Sequence, residues 1–134
     1  MSLIEQDYIV RLIYEIIRTL FRLIFRIDLE KKNGYQFEVK YRQQRYEELI
    51  LLADKGKINE AENQLLTSLN VYEIQDLELA LRFYLYLNEK ENAYLEMYDF
   101  TRKEIVDGIR MVCRIFGYGN MADSLMEDLE MEEI

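Results

Sequence analysis

Residues 11–26, RLIYEIIRTLFRLIFR, place the strongest constraint on what this chain can fold into. Helical spacing, with each residue turning the helix by about 100°, brings seven polar side chains onto one arc of roughly 120°. They are Asp7, Arg11, Glu15, Arg18, Thr19, Arg22 and Arg26. Apolar side chains occupy the rest of the circumference, whereas the apolar stripe of an ordinary surface helix spans little more than about 100°. The sequence therefore predicts a long N-terminal helix over residues 3–27 that needs cover on two or three sides.

This segment carries too many charges for a membrane span. Five charged side chains lie within residues 11–26, and each costs roughly 2.5–3.5 kcal/mol near the centre of a bilayer. A helix that lies in the lipid headgroup region is compatible with the pattern, because arginines follow one face and Leu, Ile and Phe follow the other.

Composition favours helices joined by short loops. The chain has 134 residues, no proline and five glycines, and a β-rich domain of that length needs more turn residues. Half of the residues are hydrophobic, which indicates a packed core rather than disorder. The length corresponds to one domain, so we predict a single helical domain over residues 1–134.

Turn and capping signals divide the chain after the first helix. They predict a loop over 28–36, a second helix over 37–55, a third helix from Asn59 with a capping box to Glu62, a fourth helix over 73–87, and a short helix after a break near Asn88. The predicted fold class is all-α with five to six helices. Antiparallel helical hairpins over residues 37–116 pack on the long apolar N-terminal helix, and residues 117–134 form an acidic C-terminal tail or short helix.

The sharpest local signal lies in DFTRKEI, residues 99–105. Thr101 is placed to cap a helix, and Glu104 is placed to close the capping box. The helix continues to residue 116 and stops at Gly117. Gly108 lies inside this helix at a cost of about 1 kcal/mol relative to alanine, which indicates a close helix contact at that position.

The residue types present exclude most kinds of catalytic or metal site. There is no histidine and a single cysteine, Cys113, so neither an intrachain disulfide nor a Cys/His zinc site can form. The sequence has no phosphate-loop, nucleophile-elbow or dinucleotide motif. A carboxylate-type enzyme would need two acids with raised pKa in one cleft, and no spacing indicates such a pair. We predict a non-enzymatic protein without cofactor or metal, in which Cys113 is a buried thiol.

Charge is distributed unevenly along the chain. The net charge is −9. Residues 1–57 hold 11 basic and 9 acidic side chains, and residues 58–134 hold 6 basic and 17 acidic ones. An acidic chain repels nucleic acid at long range, so we predict no nucleic-acid partner. The asymmetry indicates that the first helix meets acidic surface, either in its own chain or in a neighbour.

A candidate interaction surface on the first helix combines the four arginines of the polar stripe with two phenylalanines. It consists of Arg11, Arg18, Phe21, Arg22, Phe25 and Arg26. The alternative is a solvated or intrachain-paired stripe, since Glu15 lies at helical spacing from two of these arginines.

Residues 46–69, YEELILLADKGKINEAENQLLTSL, resemble one tetratricopeptide-type helical hairpin. Gly56 permits the tight turn, Ala61 lets the helices approach, and Leu65 and Leu69 fill the groove between them. An ordinary antiparallel helix pair is the alternative, because the closing proline and a second copy at the repeat period are missing and a solenoid needs about three repeats.

Four blocks spread over the chain carry a second resemblance: QDYIVRLI, GKINEAENQLL, LELALRFYLYLN and DFTRKEIVDGIR. They resemble a family of short all-helical proteins from Gram-positive bacteria that has no assigned function. The resemblance implies a helical fold and a bacterial cytoplasmic source, and it supplies no activity and no functional residues.

The sequence thus predicts a cytoplasmic protein–protein interaction or structural protein that forms a homodimer, or binds another protein, through its first helix. The alternative is a peripheral membrane protein whose amphipathic first helix lies at the lipid headgroup interface.

Overall fold

A computed structural model describes residues 3–31, 37 and 39–129 of the chain. Within these residues the fold is all-α, without strands, as predicted. Seven α-helices follow one another in the described residues: α1 (Leu3–Leu20), α2 (Lys40–Asp54), α3 (Ile58–Ser68), α4 (Ile74–Asn88), α5 (Asn92–Met97), α6 (Arg102–Ile115) and α7 (Gly119–Asp128). The predicted count of five to six helices is wrong, because the C-terminal segment forms a seventh helix, α7, in addition to the short helix predicted after Asn88.

The first helical segment ends two residues earlier than predicted. α1 continues into a single π-helical turn, Phe21–Phe25, and Arg26 then adopts a left-handed backbone with φ of 57°. The N–H of Ile27 donates to the carbonyl of Phe21 at 3.1 Å. A left-handed residue after the last turn is a common helix terminator, although glycine usually occupies that position.

α4 is the central helix of the fold. It contacts α1, α2 and α6, and every residue from 76 to 81 is buried. A helix that is buried around its whole circumference lies inside a domain rather than at its surface. The core therefore forms around α4, and α1 is one of the helices that surround it.

Two contacts fix the direction of α1 against α4. The side-chain amide of Asn88 donates to the carbonyl of Val10 at 3.0 Å. Six residues earlier in α4, the guanidinium of Arg82 lies 4.8 Å from the centre of the Phe21 ring. The C-terminal end of α4 is thus beside the N-terminal half of α1, so the two helices run antiparallel.

α6 also runs antiparallel to α4. The guanidinium of Arg102 donates to the carbonyl of Asn88 at 2.8 Å, and Gly108 lies against the ring of Tyr84. Because α1 and α6 both oppose α4, they run in the same direction.

Three helices of the same chain cover the apolar side of α1. They are α4, α6 and α7. The residues of the first helical segment that are buried by them are Ile9, Ile13, Ile16, Ile17, Leu20 and Phe21. Among its described large hydrophobic side chains, Tyr8 and Leu23 are the two with more than a third of their surface exposed, at 51% and 53%. The cover that the sequence requires is therefore supplied within the chain.

The capping signals give one confirmed and one wrong prediction. Thr101 Oγ1 accepts the N–H of Glu104 at 3.1 Å, and the Thr101 N–H donates to the Glu104 carboxylate at 2.8 Å, so the capping box of α6 is confirmed. α3 begins one residue before Asn59, at Ile58, and Lys57 precedes it without a side-chain cap. Asn59 therefore lies inside the helix, where it cannot cap it.

Candidate interaction surface

The six residues predicted to form an interaction surface do not share one environment. Arg11, Arg22 and Arg26 are exposed, Arg18 and Phe25 are half-buried, and Phe21 is buried. The structure therefore supports an exposed surface at three of the six positions.

Phe21 is the clear error in that set. It is 0% exposed. The guanidinium of Arg82 on α4 lies 4.8 Å from the centre of its ring, and the centre of the Phe25 ring lies 5.5 Å away. Phe25 itself packs against the core. Phe21 is part of the core because α4 covers the end of α1.

Arg18 is paired within the chain. Its Nη2 and Nε atoms donate to one oxygen of Glu15, at 2.5 and 3.2 Å. A second carboxylate, that of Glu30, lies 3.7 Å from Nε. The predicted alternative of an intrachain ion pair is thus confirmed for this arginine.

The other three arginines of the stripe differ from Arg18. Within the described part of the chain, Arg11, Arg22 and Arg26 have no ion-pair partner. The same helical segment also carries two exposed apolar side chains, Tyr8 and Leu23. We call these five residues the basic face. It combines unneutralised positive charge with exposed apolar surface.

An acidic helix lies next to α1. α7 contacts both α1 and α6, and its Asp123, Glu127 and Asp128 are exposed. Two of these carboxylates, Asp123 and Glu127, share a cleft of 440 Å³ with Arg110 and Arg114 of α6. α7 is held in place by its apolar side, where Ala122 and Met126 are buried.

A larger cleft of 530 Å³ lies where α6 begins, beside the N-terminal part of α1. Its lining residues are Gln6, Asn92, Leu95, Glu96, Asp99, Phe100, Thr101, Arg102 and Lys103. The lining contains two cationic and two anionic side chains, so their formal charges sum to zero. The amino end of α6 is already satisfied by its capping box.

Arg102 in this cleft has a structural role that the sequence did not reveal. Its Nη1 donates to the carbonyl and side-chain oxygens of Asn88, at 2.8 and 3.2 Å. Its Nη2 donates to the carbonyl of Lys90 at 2.7 Å and to the side-chain oxygen of Asn92 at 2.9 Å. Burial lowers the pKa of this guanidinium. Arg102 therefore joins the end of α4 to the start of α5 and leaves neither terminal nitrogen free for a ligand.

A buried ionic network joins α2 to the start of α4. Asp76 Oδ1 accepts from Arg42 Nε and from Arg45 Nη1, each at 3.1 Å. Its second oxygen accepts the N–H of Asn70 at 2.9 Å. Arg42 also pairs with Glu73. Sequence reasoning missed this network because its members are about thirty residues apart and no local pattern connects them.

A tyrosine–carboxylate pair lies between α3 and α4. The hydroxyl of Tyr84 donates to Glu62 at 2.7 Å. Burial, and secondly the nearby carboxylate of Glu62, raises the pKa of Tyr84. Burial also raises the pKa of Glu62, and the charge of Glu104 adds to that increase. This hydrogen bond satisfies the polar end of a tyrosine whose ring is in the core.

Cys113 is a buried thiol, as predicted. It is 0% exposed, and burial, with a smaller contribution from Asp123, raises its pKa to about 12. The thiolate is the reactive form of cysteine. We expect a disulfide reagent to modify Cys113 in the native protein roughly a thousandfold more slowly than in urea at neutral pH.

The control for this prediction is Ser124→Cys in a Cys113→Ser background. Ser124 is exposed on α7, so the new thiol should react at the rate of an unfolded chain. Native Cys113 reacting as fast as this control would contradict the buried assignment.

Within the described residues, no group of three or more Cys, Asp or Glu side chains could hold a metal ion. Nor is any described helix long and apolar enough to cross a membrane.

The arrangement is that of a small all-α protein with a charged outer surface. Over residues 3–117 the chain matches the family described as "Family of unknown function (DUF6483)", and it belongs to this family. Membership of an uncharacterised family is thereby confirmed. The match ends before α7, which begins at Gly119. No curated protein and no solved structure matches the chain significantly.

Proposed function

We propose that this protein is a non-enzymatic interaction protein that self-associates through the exposed basic face of its first helical segment. The observation that carries the proposal is the presence of three exposed arginines without an ion-pair partner in the described chain, together with exposed Tyr8 and Leu23. The apolar side of α1 is occupied by its own chain, so the outer, arginine-bearing side is the one available to a partner.

Charge complementarity supports a second copy as that partner. The chain carries a net charge of −9 despite its basic face, so every copy presents abundant acidic surface. Exposed ion pairs contribute only about 0.2–1 kcal/mol each. A few such pairs with two apolar side chains therefore make a weak contact, because the loss of translational and rotational freedom on association offsets most of their contribution.

The peripheral membrane alternative has weaker support. It requires α1 to turn its apolar side toward lipid, and Ile13, Ile16 and Ile17 on that side are completely buried in the fold. Such a role would require α1 to leave the core.

We further propose that the protein acts in the cytoplasm of a bacterium and that α2 and α3 form a tetratricopeptide-like hairpin. The lone buried thiol supports the first point, since reducing compartments keep cysteines unpaired. For the second, Gly56 has a φ of 81° in the turn between the helices and Ala61 is completely buried.

Sedimentation over a dilution series of about 10–1,000 µM tests the self-association. We expect a monomer–dimer equilibrium at about 0.05 M salt that weakens at least about tenfold at about 0.5 M, because salt screens exposed charges. Arg22→Glu with Arg26→Glu should weaken it to a similar extent.

The matched control is Lys55→Glu with Lys57→Glu. These exposed lysines lie at the turn between α2 and α3, and their replacement changes the net charge by the same amount. A monomeric wild-type protein throughout the series, or equal effects of the two double variants, would overturn the proposal. Flotation with anionic vesicles at low salt in place of self-association would establish the membrane role instead.

A further inference from the structure

The direction of α7 adds a second element to the self-association surface. α7 folds back along α6: Arg110 Nε on α6 lies 2.9 Å from the sulfur of Met126, and a Cβ atom on Gly119 would lie 3.4 Å from the Cα of Arg114. α7 therefore runs antiparallel to α6. Since α6 runs in the direction of α1, α7 runs antiparallel to α1 as well.

The two adjacent helices consequently carry opposite charge toward opposite ends. The first helical segment has Arg22 and Arg26 at its C-terminal end. α7 has Glu127 and Asp128 at its own C-terminal end, which points toward the N-terminus of α1. Opposite charges at opposite ends of neighbouring antiparallel helices suit pairing with a second copy, because a two-fold rotation brings the basic end of one copy toward the acidic end of the other. Within its own chain, Glu127 shares a cleft with Arg110 and Arg114.

We propose that the basic face binds the acidic helix α7 of a second copy, in a two-fold symmetric dimer with two equivalent α1–α7 contacts. The inference rests on the proposed self-association and names the surface that the basic face contacts. In their own chain Arg22 and Arg26 make no ion pair with α7 in the described residues, so their charges are available to another copy. A two-fold arrangement forms both contacts at once and closes, so it produces dimers rather than filaments.

A charge-exchange experiment tests this pairing. The first variant, Arg22→Glu with Arg26→Glu, makes both surfaces acidic, and the second, Glu127→Lys with Asp128→Lys, makes both basic. Each variant alone should self-associate at least about tenfold more weakly than the wild-type chain. An equimolar mixture should form a heterodimer with the wild-type dissociation constant within about threefold, because one contact is then the wild-type pair and the other pairs the exchanged charges.

Net charge alone predicts a different result. The second variant is four units less negative than the wild-type net charge of −9, so two of its copies repel each other less strongly. If reduced repulsion were the only effect, this variant would self-associate more tightly than the wild type, and that outcome would overturn the inference.

The outcomes of this experiment distinguish the proposed self-association from the proposed pairing with α7. A monomeric wild type would overturn the proposed function together with the inference. A wild-type dimer that is weakened by the first variant but unaffected by the second, or a mixture that stays monomeric, would overturn the pairing with α7 alone. Thermal unfolding checks that each double variant is folded. Sedimentation of the mixture then tests the pairing, because both of its components are folded proteins.

Discussion

Replacing Asp76 with alanine is expected to lower the free energy of unfolding by about 3–5 kcal/mol, the largest effect among the substitutions considered. Asp76 is only 1% exposed and accepts hydrogen bonds from two arginines and one backbone N–H. Its removal leaves the buried guanidinium of Arg42 with one partner, Glu73, whose side chain is half-exposed. Urea denaturation at neutral pH measures the change.

Asp107→Ala is the matched control for Asp76→Ala. Asp107 is also a helical aspartate in an ion pair, 2.8 Å from Lys103, but both side chains are exposed. An exposed pair four residues apart on a helix contributes about 0.3–0.5 kcal/mol. Similar losses of stability for the two alanine variants would show that burial of the network does not determine its contribution.

Gly108→Val is expected to destabilise the fold by at least about 2 kcal/mol, although glycine is a poor helix former. A Cβ atom at Gly108 would overlap the phenol ring of Tyr84. That ring is completely buried and its hydroxyl is bonded to Glu62, so it cannot move aside without breaking a hydrogen bond. Calorimetric and urea unfolding both report the loss.

A double-mutant cycle identifies the cause of that destabilisation. In a Tyr84→Ala background the ring is absent, and Gly108→Val should cost at least about 1 kcal/mol less than in the wild type. Gly119→Ala serves as the control, because a Cβ there makes an ordinary contact with Arg114. An unchanged cost of Gly108→Val in the Tyr84→Ala background would exclude steric overlap with Tyr84 as the reason.

Part of the interaction surface could be predicted from residue spacing alone. Arg18 and Glu15 are three residues apart on a helix, so their pairing depends only on local geometry. The exposure of Arg11, Arg22 and Arg26 follows from the cost of burying charge. Phe21 was placed wrongly although it lies outside the polar arc and four residues after the buried Ile17, so helical spacing already indicates its burial. That α4 is the helix covering it depends on the tertiary structure.

The buried polar groups also include some that local spacing predicts and some that it does not. Thr101 and Glu104 lie within one turn, so their capping box is visible in the sequence. Asp76 and Arg42 are separated by 34 residues, and Arg102 binds backbone carbonyls that any residue would present. Contacts of this kind have no local sequence signature, because they depend on which helices become neighbours.

The sequence by itself determined that the chain is helical, where α6 begins, that Gly108 needs a close neighbour and that Cys113 is buried. Each of these rests on backbone preferences or on hydrophobic spacing, which act within a few residues. Only the tertiary structure decided that α4 is the central helix and that α7 lies beside α1. The apolar side of a helix can be buried by any helix of suitable shape. Which helix packs there therefore depends on the packing of the whole chain.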